Sequence, residues 1–338
     1  MPSISEQTGP SLASATDLRQ CQPSPLAPDG EGDAISDCPG CGAGGCQNFL
    51  RAPDRFHGRS INYQLVRCPS CALVWLRDPP TPSEISGHYG EGYDRAITQA
   101  ARSSRYWAER CATVSKYSSG GAILDLGCSA GGFLRAIAGP SWRLFGIEMS
   151  ENTAREAMAN SGAELFVGDV LDAPFPADNF DVITCFHVFE HLYHPREVLA
   201  KVHRWLKPGG IFYAEMPNIA SVDASLFRSY WHSLELPRHL FHYSPTSLRN
   251  LLTRARLSEL EMETSRSTYA EHSLRYIVDD LYSRIGVTRP SRSAEIPSQN
   301  TLWRVVRKIT RLTLFAALGQ LEVACGRGPD LKAVFRKQ

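Results

Sequence analysis

The stretch Ala122-Ile-Leu-Asp-Leu-Gly-Cys-Ser-Ala-Gly-Gly-Phe-Leu134 decides the fold of this chain. Its first half is a short apolar run, typical of a parallel strand that is covered on both faces, and its glycines allow a sharp turn into a helix. Asp125 stands at the carboxyl end of the strand, where a carboxylate repels a pyrophosphate and attracts a cationic amino group. The strand, turn and helix together predict a nucleotide-sized pocket in an α/β fold.

Acidic residues also follow the next two predicted strands. The apolar run at residues 142–147 is followed by Glu148, about 20 residues beyond the glycine turn, where acids bind ribose hydroxyls. A third run ends at Asp169, which is placed to accept a hydrogen bond from an adenine amino group. Residues 180–186 supply a fourth strand. Because parallel strands end at one edge of a sheet, we expect these acids to line one pocket.

These motifs resemble the class I S-adenosylmethionine-dependent methyltransferases, whose glycine motif reads DxGCxxG and whose fourth strand runs into an xxxEHxxxP segment. Here that segment is Phe186-His-Val-Phe-Glu-His-Leu-Tyr-His-Pro195, and residues 202–212 match the family's helix, LKPGG turn and fifth strand. The likeness extends over residues 119–265. It implies a Rossmann-like seven-stranded sheet with helices on both faces. One departure is Ser129, which stands where many members carry glycine.

The resemblance implies a cofactor site for S-adenosylmethionine. In the family, the acid and glycines of the turn hold the methionine part, the next acid holds the ribose, and the third holds the adenine. The predicted set is Asp125, Gly127, Cys128, Gly131, Glu148, Asp169, Val170 and Phe186. Each position has an alternative, since glycines also permit close helix packing and acids also cap helices.

Two histidine-containing motifs supply candidates for a general base, which a hydroxyl or carbon acceptor needs. Histidine suits this role because it titrates near neutral pH. His239, in Leu236-Pro-Arg-His-Leu-Phe-His-Tyr-Ser-Pro245, is the first candidate because that segment follows the fifth strand, where acceptor-binding loops gather. His191 and His187 come next, and purely structural hydrogen bonding is the alternative for all three.

Two neighbours of these histidines carry charge. Glu190 and His191 are adjacent in a helical turn, so we expect their side chains to point in different directions. Arg238 fits two roles, either pairing with an acidic or phosphorylated acceptor or anchoring its own loop.

Paired cysteines predict a structural zinc ribbon near the start of the chain. Cys38-Pro-Gly-Cys41 and Cys68-Pro-Ser-Cys71 offer four thiolates, which close a tetrahedral zinc shell and leave no place for water. The segment is too short to fold on a hydrophobic core alone, so metal binding is expected to stabilise it. Cys46 is an alternative ligand. Four further cysteines are expected to be small core residues: Cys111, Cys128, Cys185 and Cys325.

The zinc element has two readings. As in zinc-bearing ribosomal-RNA methyltransferases, it would read nucleic acid, but residues 36–77 hold five arginines against two aspartates, a weak basic bias. The second knuckle, with the residues that follow it, instead resembles the RCxxCGLVxxxPxP element ahead of bacterial small-molecule methyltransferases, including sugar C-methyltransferases. In those proteins the zinc lobe helps to wall the substrate site.

The predicted segments, in order, are a disordered tail (1–35), a zinc-ribbon-like element (36–78), a helical linker and lid (79–118), the methyltransferase core (119–265), a helical insertion (266–326) and a final core strand (327–338). Tyr89 and Tyr93 resemble the family's aromatic lid, with simple packing as the alternative. The amphipathic stretch 300–322 predicts a lid or packing helix, a dimer surface or a peripheral membrane contact. The final strand is expected to insert antiparallel beside the sixth.

Composition sets broad limits on function. The 338 residues exceed a typical single domain, and 43% hydrophobic residues suffice for a sizeable core. A net charge of +1 gives no field that would recruit nucleic acid. The chain shows neither a signal peptide nor an apolar run long enough to span a bilayer, so we expect a cytoplasmic protein.

The expected activity is methyl transfer to a small molecule: a sugar, a glycan intermediate or a related natural product, sugar- or lipid-linked. Enzymes that methylate amines of adenine or glutamine place Asn/Asp-Pro-Pro-aromatic after the fourth strand, whereas this chain has Cys185-Phe-His-Val. Hydroxyl or carbon acceptors are therefore favoured. Two alternatives remain: an RNA methyltransferase that uses the ribbon as a reader, and a non-catalytic module that senses the cofactor.

Overall fold

The structure is a computed structural model that describes residues 37–56, 61–88, 104–267, 269–285 and 316–338. Three predictions concern other parts of the chain and therefore lie outside the described residues. They are the disordered tail, the aromatic pair Tyr89 and Tyr93, and most of the amphipathic stretch 300–322.

The described strands are β1 (Gln47–Pro53), β2 (Asn62–Arg67), β3 (Val74–Leu76), β4 (Gly121–Leu126), β5 (Trp142–Glu148), β6 (Glu164–Val167), β7 (Phe180–Phe186), β8 (Leu206–Pro217), β9 (Phe241–His242), β10 (Leu257–Ser265) and β11 (Asp330–Lys337). The described helices are α1 (Pro82–Ile85), α2 (Ser104–Tyr117), α3 (Gly132–Ile137), α4 (Glu151–Ser161), α5 (Pro195–Trp205), α6 (Val222–Phe227), α7 (Pro245–Arg254), α8 (Tyr269–Arg284) and α9 (Ala316–Ala324). Short 3₁₀ turns include Phe189–His191 and His232–Leu234.

The larger sheet has seven strands in the order β10-β11-β8-β7-β4-β5-β6. β4 to β8 run parallel, and β11 lies antiparallel between β8 and β10. The predicted Rossmann-like seven-stranded sheet is confirmed, including the antiparallel insertion of the last strand. Parallel strands covered on both faces must be apolar, and Ile123, Leu124 and Ile183 are completely buried.

Local signals set the ends of α7. Ser244 accepts a hydrogen bond from the amide of Ser247 in a capping box, with Pro245 in the first turn. The helix ends at Arg254. Arg256 has a φ of 60°, a left-handed conformation that turns the chain into β10.

A smaller sheet joins the cysteine-rich segment to the core. Its order is β1-β2-β3-β9, so three strands from residues 47–76 are completed by a strand from within the predicted methyltransferase core. Trp75 pairs with Phe241, and Val74 pairs with His242. The described residues accordingly belong to one compact unit.

Among the helices of the described residues, none is both long and apolar enough to cross a membrane.

Candidate functional site

Asp125 lies at the end of β4, where the sequence placed it. Its side chain is buried, and the hydroxyl of Thr184 on the neighbouring β7 donates a hydrogen bond to its Oδ1 at 2.7 Å. Burial raises the pKa of Asp125 to about 7, against the opposing effect of the Thr184 hydrogen bond. A carboxyl in this state gains strongly from a cationic partner.

The glycine turn has left-handed backbone at several positions. Gly127 has a φ of 67°, and a Cβ there would lie 2.4 Å from Cγ2 of Val188. Gly131 has a φ of 75°, and a Cβ there would lie 3.0 Å from the backbone of Ala157 on α4. Close packing of helices, the alternative to a cofactor role, therefore also accounts for a glycine at this position. Ser129 adopts a φ of 47°, which explains physically why glycine is common at this position in the family. Cys128, next to Ser129 in the turn, is buried.

Glu148 lies beside this turn. Its Oε2 accepts a hydrogen bond from the amide of Ser129 at 3.1 Å, and its Oε1 accepts one from the amide of Ser150 at 3.0 Å. Asp169 follows β6, and its Oδ1 accepts a hydrogen bond from the amide of Leu171 at 2.7 Å, a local turn contact. Val170, between them, is buried.

Phe186 ends β7 inside a group of aromatic rings. Its ring centroid is 5.0 Å from those of Phe133 and Tyr213 and 6.0 Å from that of Trp107. The guanidinium of Arg110 lies 5.2 Å from the Phe186 ring centroid. The predicted cofactor residues thus lie along the carboxyl ends of β4 to β7, with Phe186 nearest to a buried cation.

The sequence reasoning missed that cation and its partner. Arg110, on α2, donates a hydrogen bond to Oε2 of Glu215, on β8, at 2.5 Å, and both side chains are buried. The hydroxyl of Tyr213 also donates to Glu215. One signal was available, because Glu215 interrupts the apolar run Ile-Phe-Tyr-Ala-Glu-Met at residues 211–216. Nothing local marked Arg110 as its partner.

The structure brings the candidate histidines together. The ring centroids of His191 and His239 are 4.7 Å apart. One ligand atom each of Glu190, His191 and His239 lies within 4.8 Å of the others. The prediction that the side chains of Glu190 and His191 diverge is therefore wrong. Both converge on His239, since the 3₁₀ turn packs against the segment that precedes β9.

The three histidines differ in charge. Burial, with the neighbouring His191 and His242, holds the pKa of His239 well below its ordinary value, and burial also lowers the pKa of His191. Burial disfavours the charged form of His187 too, yet Glu190, Asp330 and Glu215 raise its pKa to about 9. His187 thus carries its proton at neutral pH, whereas His239 is uncharged.

Arg238 anchors its own loop, the second of its two predicted roles. Its side chain is buried and donates a hydrogen bond to Oε2 of Glu235 at 2.5 Å. Its guanidinium lies 3.8 Å from the ring centroid of Phe56, in the cysteine-rich segment.

The four predicted zinc ligands form one cluster. The Sγ atoms of Cys38, Cys41, Cys68 and Cys71 lie within 4.8 Å of one another, with distances of 3.5 Å between Cys38 and Cys71 and 3.6 Å between Cys41 and Cys68. All four are free thiols. Tetrahedral zinc with sulfur bonds of about 2.3 Å requires sulfur atoms about 3.8 Å apart. The observed sulfur–sulfur distances are close to this value, so the donor set fits the ion.

The two knuckles repeat the same backbone turn. In each, the first cysteine donates its amide to the carbonyl five residues later, Cys38 to Ala43 at 3.0 Å and Cys68 to Leu73 at 2.9 Å. The residue after the second cysteine is left-handed in both, with φ of 76° at Gly42 and 62° at Ala72.

The described cysteines outside this cluster differ in burial. Cys46 is buried and donates from Sγ to the carbonyl of Ala43 at 3.6 Å, outside the set of four. Cys128 and Cys185 are buried and Cys111 is half-buried, consistent with packing roles. Cys325 is exposed, so the prediction that it is a core residue is wrong, because it follows the end of α9 at the surface.

Comparison with known families identifies the central part of the chain. Residues 99–258 match the family model described as "Methyltransferase domain". This range includes the glycine turn and all three candidate histidines. The chain therefore carries a methyltransferase domain.

Similar proteins agree with this assignment. A protein of Mycolicibacterium smegmatis named "Probable S-adenosylmethionine-dependent methyltransferase" is 30% identical over 112 residues, covering 33% of this chain and 41% of that protein. The ubiquinone biosynthesis O-methyltransferase of Thiobacillus denitrificans is 35% identical over 106 residues, covering 29% and 45%. The match thus spans less than half the length of each relative. Both relatives are methyltransferases by name, in agreement with the family model.

Among solved structures, an S-adenosylmethionine-dependent methyltransferase from Thermotoga maritima matches with a TM-score of 0.48 and 15% identity. The match covers 75% of this chain and 99% of that one.

Proposed function

We propose that this chain, which carries a methyltransferase domain, transfers a methyl group from S-adenosylmethionine to a hydroxyl or carbon atom of a small molecule. The observation that carries the proposal is the row of acids at the ends of β4, β5 and β6 beside a left-handed glycine turn. Asp125, Glu148 and Asp169 occupy consecutive positions along one sheet edge. This edge is where open α/β sheets bind nucleotides.

Each acid suits one part of the cofactor. The buried carboxylate of Asp125 would pair with the methionine amino group. This pairing would replace the hydrogen bonds to water that the carboxylate loses on burial. Glu148 would accept hydrogen bonds from the ribose hydroxyls, and Asp169 with Val170 would contact the adenine. Gly127, Cys128 and Gly131 would shape the turn around the methionine part. The bound cofactor supplies an electrophilic methyl group on sulfur.

The acceptor would bind beside the histidine cluster. His239 is the first candidate for the base because it is uncharged and its Nδ1 donates to the carbonyl of Ser233 at 2.8 Å, which directs a lone pair to Nε2. His191 is the second candidate. His187, which already holds a proton, would instead orient an anionic or hydroxyl oxygen of the acceptor.

A sugar, glycan intermediate or related natural product remains the favoured acceptor. The relative from Thiobacillus denitrificans is by name an O-methyltransferase of ubiquinone biosynthesis, and ubiquinone is a small molecule. A small oxygen-bearing acceptor suits a site with several buried polar side chains.

Cys38, Cys41, Cys68 and Cys71 would hold a structural Zn²⁺ ion. Four thiolates complete a tetrahedral shell, so the ion would stabilise the fold and take no part in methyl transfer. Its element would wall the acceptor side through β3 and β9.

Calorimetry with S-adenosylhomocysteine, the demethylated product, tests the cofactor site. We expect Asp125→Asn to weaken binding by about 10- to 100-fold, because a charge-assisted hydrogen bond contributes about 1.5–3 kcal/mol. Asp172→Asn is the matched control, since Asp172 is exposed and follows the site. The proposal fails if the wild-type protein produces no heat with either the methyl donor or this product.

Turnover needs a separate measurement. Labelled methyl donor, offered with sugars, nucleotide-linked sugars and quinols, should label a small molecule in a reaction that His239→Ala abolishes. Label transfer to RNA instead of any small molecule would favour the nucleic-acid alternative.

A further inference from the structure

Glu190, His191 and His239 come from two segments that the fold ties together beside the acceptor site. Glu190 and His191 belong to the 3₁₀ turn after β7, and His239 precedes β9. The amide of Leu240 donates to the carbonyl of Glu190 at 2.9 Å, and the carbonyl of Arg238 accepts from Nδ1 of His191 at 3.0 Å. These two bonds flank His239 on both sides, so the relative position of the three side chains is set by the backbone.

Both imidazoles are oriented by backbone carbonyls. Nδ1 of His191 donates to Arg238, and Nδ1 of His239 donates to the carbonyl of Ser233 at 2.8 Å. An uncharged ring that donates from Nδ1 carries its lone pair on Nε2. This is the arrangement in which proteins present histidine to a metal ion, because the carbonyl fixes the tautomer and the ring orientation.

Glu190 is the third donor, and its carboxylate is buried without hydrogen bonds from the described residues. Its side chain is 1% exposed, and neither carboxylate oxygen has a hydrogen-bond partner among the described residues. Protonated His187 forms an ion pair with this carboxylate at long range, with Nδ1 of His187 3.7 Å from Oε1 of Glu190. This ion pair offsets the charge in part, but both carboxylate oxygens keep lone pairs that a metal ion could accept.

We propose that Glu190, His191 and His239 bind a divalent first-row transition metal ion, in addition to the zinc expected at the four cysteines. Two imidazoles and one carboxylate suit Zn²⁺, Fe²⁺ or Co²⁺ and leave coordination positions open. The donor atoms lie within 4.8 Å of one another, and bonds of about 2.1 Å in tetrahedral geometry would bring them to separations of about 3.4 Å.

The proposed role of the ion in methyl transfer rests on the proposed function. The binding of the ion does not depend on it. An acceptor hydroxyl bound at an open position would have a lowered pKa and release its proton to solvent. The oxyanion's electron pair would then form the oxygen–carbon bond, while the sulfur–carbon bond of the sulfonium breaks and its pair returns to sulfur. His239 would position the ion instead of accepting the proton, so the substrate class is a molecule with a metal-binding hydroxyl.

Cobalt(II) titration of the full-length, zinc-loaded protein tests the site. We expect one additional Co²⁺ per chain, with weak visible d–d absorption and without the intense sulfur-to-cobalt charge transfer of a thiolate site. Glu190→Gln and His239→Ala should each weaken this binding at least about tenfold. His194→Ala is the matched control because His194 is an exposed histidine in the same segment.

The outcomes separate this inference from the proposed function. Absorption confined to the cysteine site, or unchanged affinity in Glu190→Gln, would overturn the metal site. Binding of S-adenosylhomocysteine is measured on the same samples, which also reports whether each variant is folded. Cobalt binding without binding of S-adenosylhomocysteine would support the metal site and count against the proposed methyltransferase function. Binding of S-adenosylhomocysteine without cobalt binding would support the proposed function and overturn the metal site.

Discussion

The amide of Leu76 donates a hydrogen bond to the carbonyl oxygen of Leu240 at 2.8 Å. Leu76 ends β3, directly after the second cysteine knuckle, and Leu240 follows His239 in the chain. The bond therefore links the proposed zinc element to the proposed acceptor site, whereas the acids at the ends of β4 to β6 lie on other strands.

Loss of zinc should consequently damage the two halves of the site unequally. We expect Cys41→Ser to release the ion and abolish methyl transfer while leaving affinity for S-adenosylhomocysteine within about threefold of wild type, since a contact far from that pocket contributes little to it. Transfer of labelled methyl groups measures the first effect and calorimetry measures the second. Hydrogen exchange of residues 236–243 reports the loosening of the acceptor side. Cys46→Ser is the control, and zinc loss in that variant would mean that the ligand set is misassigned.

Affinity for S-adenosylhomocysteine should rise with pH through the titration of Asp125. Its pKa is about 7 in the free protein, and the groups that act on it are Thr184, Arg110 and Glu148. Since the carboxylate, not the acid, pairs with an ammonium group, binding at pH 6 should be about tenfold weaker than at pH 8. Calorimetry across this range measures the slope. A flat profile in the wild type would contradict the assignment, and Asp125→Asn should be flat.

The same carboxyl should destabilise the free protein at high pH. Its pKa is raised on folding, so its favourable contribution is present at low pH and is lost as the pH rises through about 7. Asp125→Asn should therefore be more stable than wild type at pH 8, by on the order of 2 kcal/mol, with a smaller gain at pH 5. Urea unfolding without ligand measures both. A loss of stability at pH 8 would mean that the carboxylate is well compensated.

Glycine should be preferred at two positions where this chain has a side chain. Ser129 and Ala72 have φ of 47° and 62°, a region that disfavours residues with a Cβ. Ser129→Gly and Ala72→Gly should each stabilise the protein by about 0.5–1 kcal/mol, measured by urea unfolding. Ala154→Gly, in the middle of α4, should instead destabilise it by about 1 kcal/mol or more. Destabilisation by all three would show that backbone strain at the first two is negligible.

Elements with strong local patterns were predicted well from the sequence. β7 matches its predicted range, residues 180–186. The position of Asp125 followed from one rule, that a buried run ends where a charged residue must reach solvent or a ligand. The spacing of the two cysteine pairs similarly indicated one cluster.

Other features depended on residues far apart in the chain. Arg110 and Glu215 are 105 positions apart, and neither belongs to a motif that names the other. Glu190 and His191 were expected to diverge, because a helical turn considered alone does separate adjacent side chains. Their convergence arises from packing against the segment that carries His239, a contact that local backbone geometry does not contain.

The sequence by itself determined the parallel sheet, the acids at its edge, the glycine turn and the paired cysteines, because each follows from short-range periodicity and spacing. Only the tertiary structure decided that β9 joins the cysteine element, that Arg110 neutralises Glu215, and that two histidines meet Glu190. Those contacts join distant segments, and they form only when burial of the shared core brings the segments together.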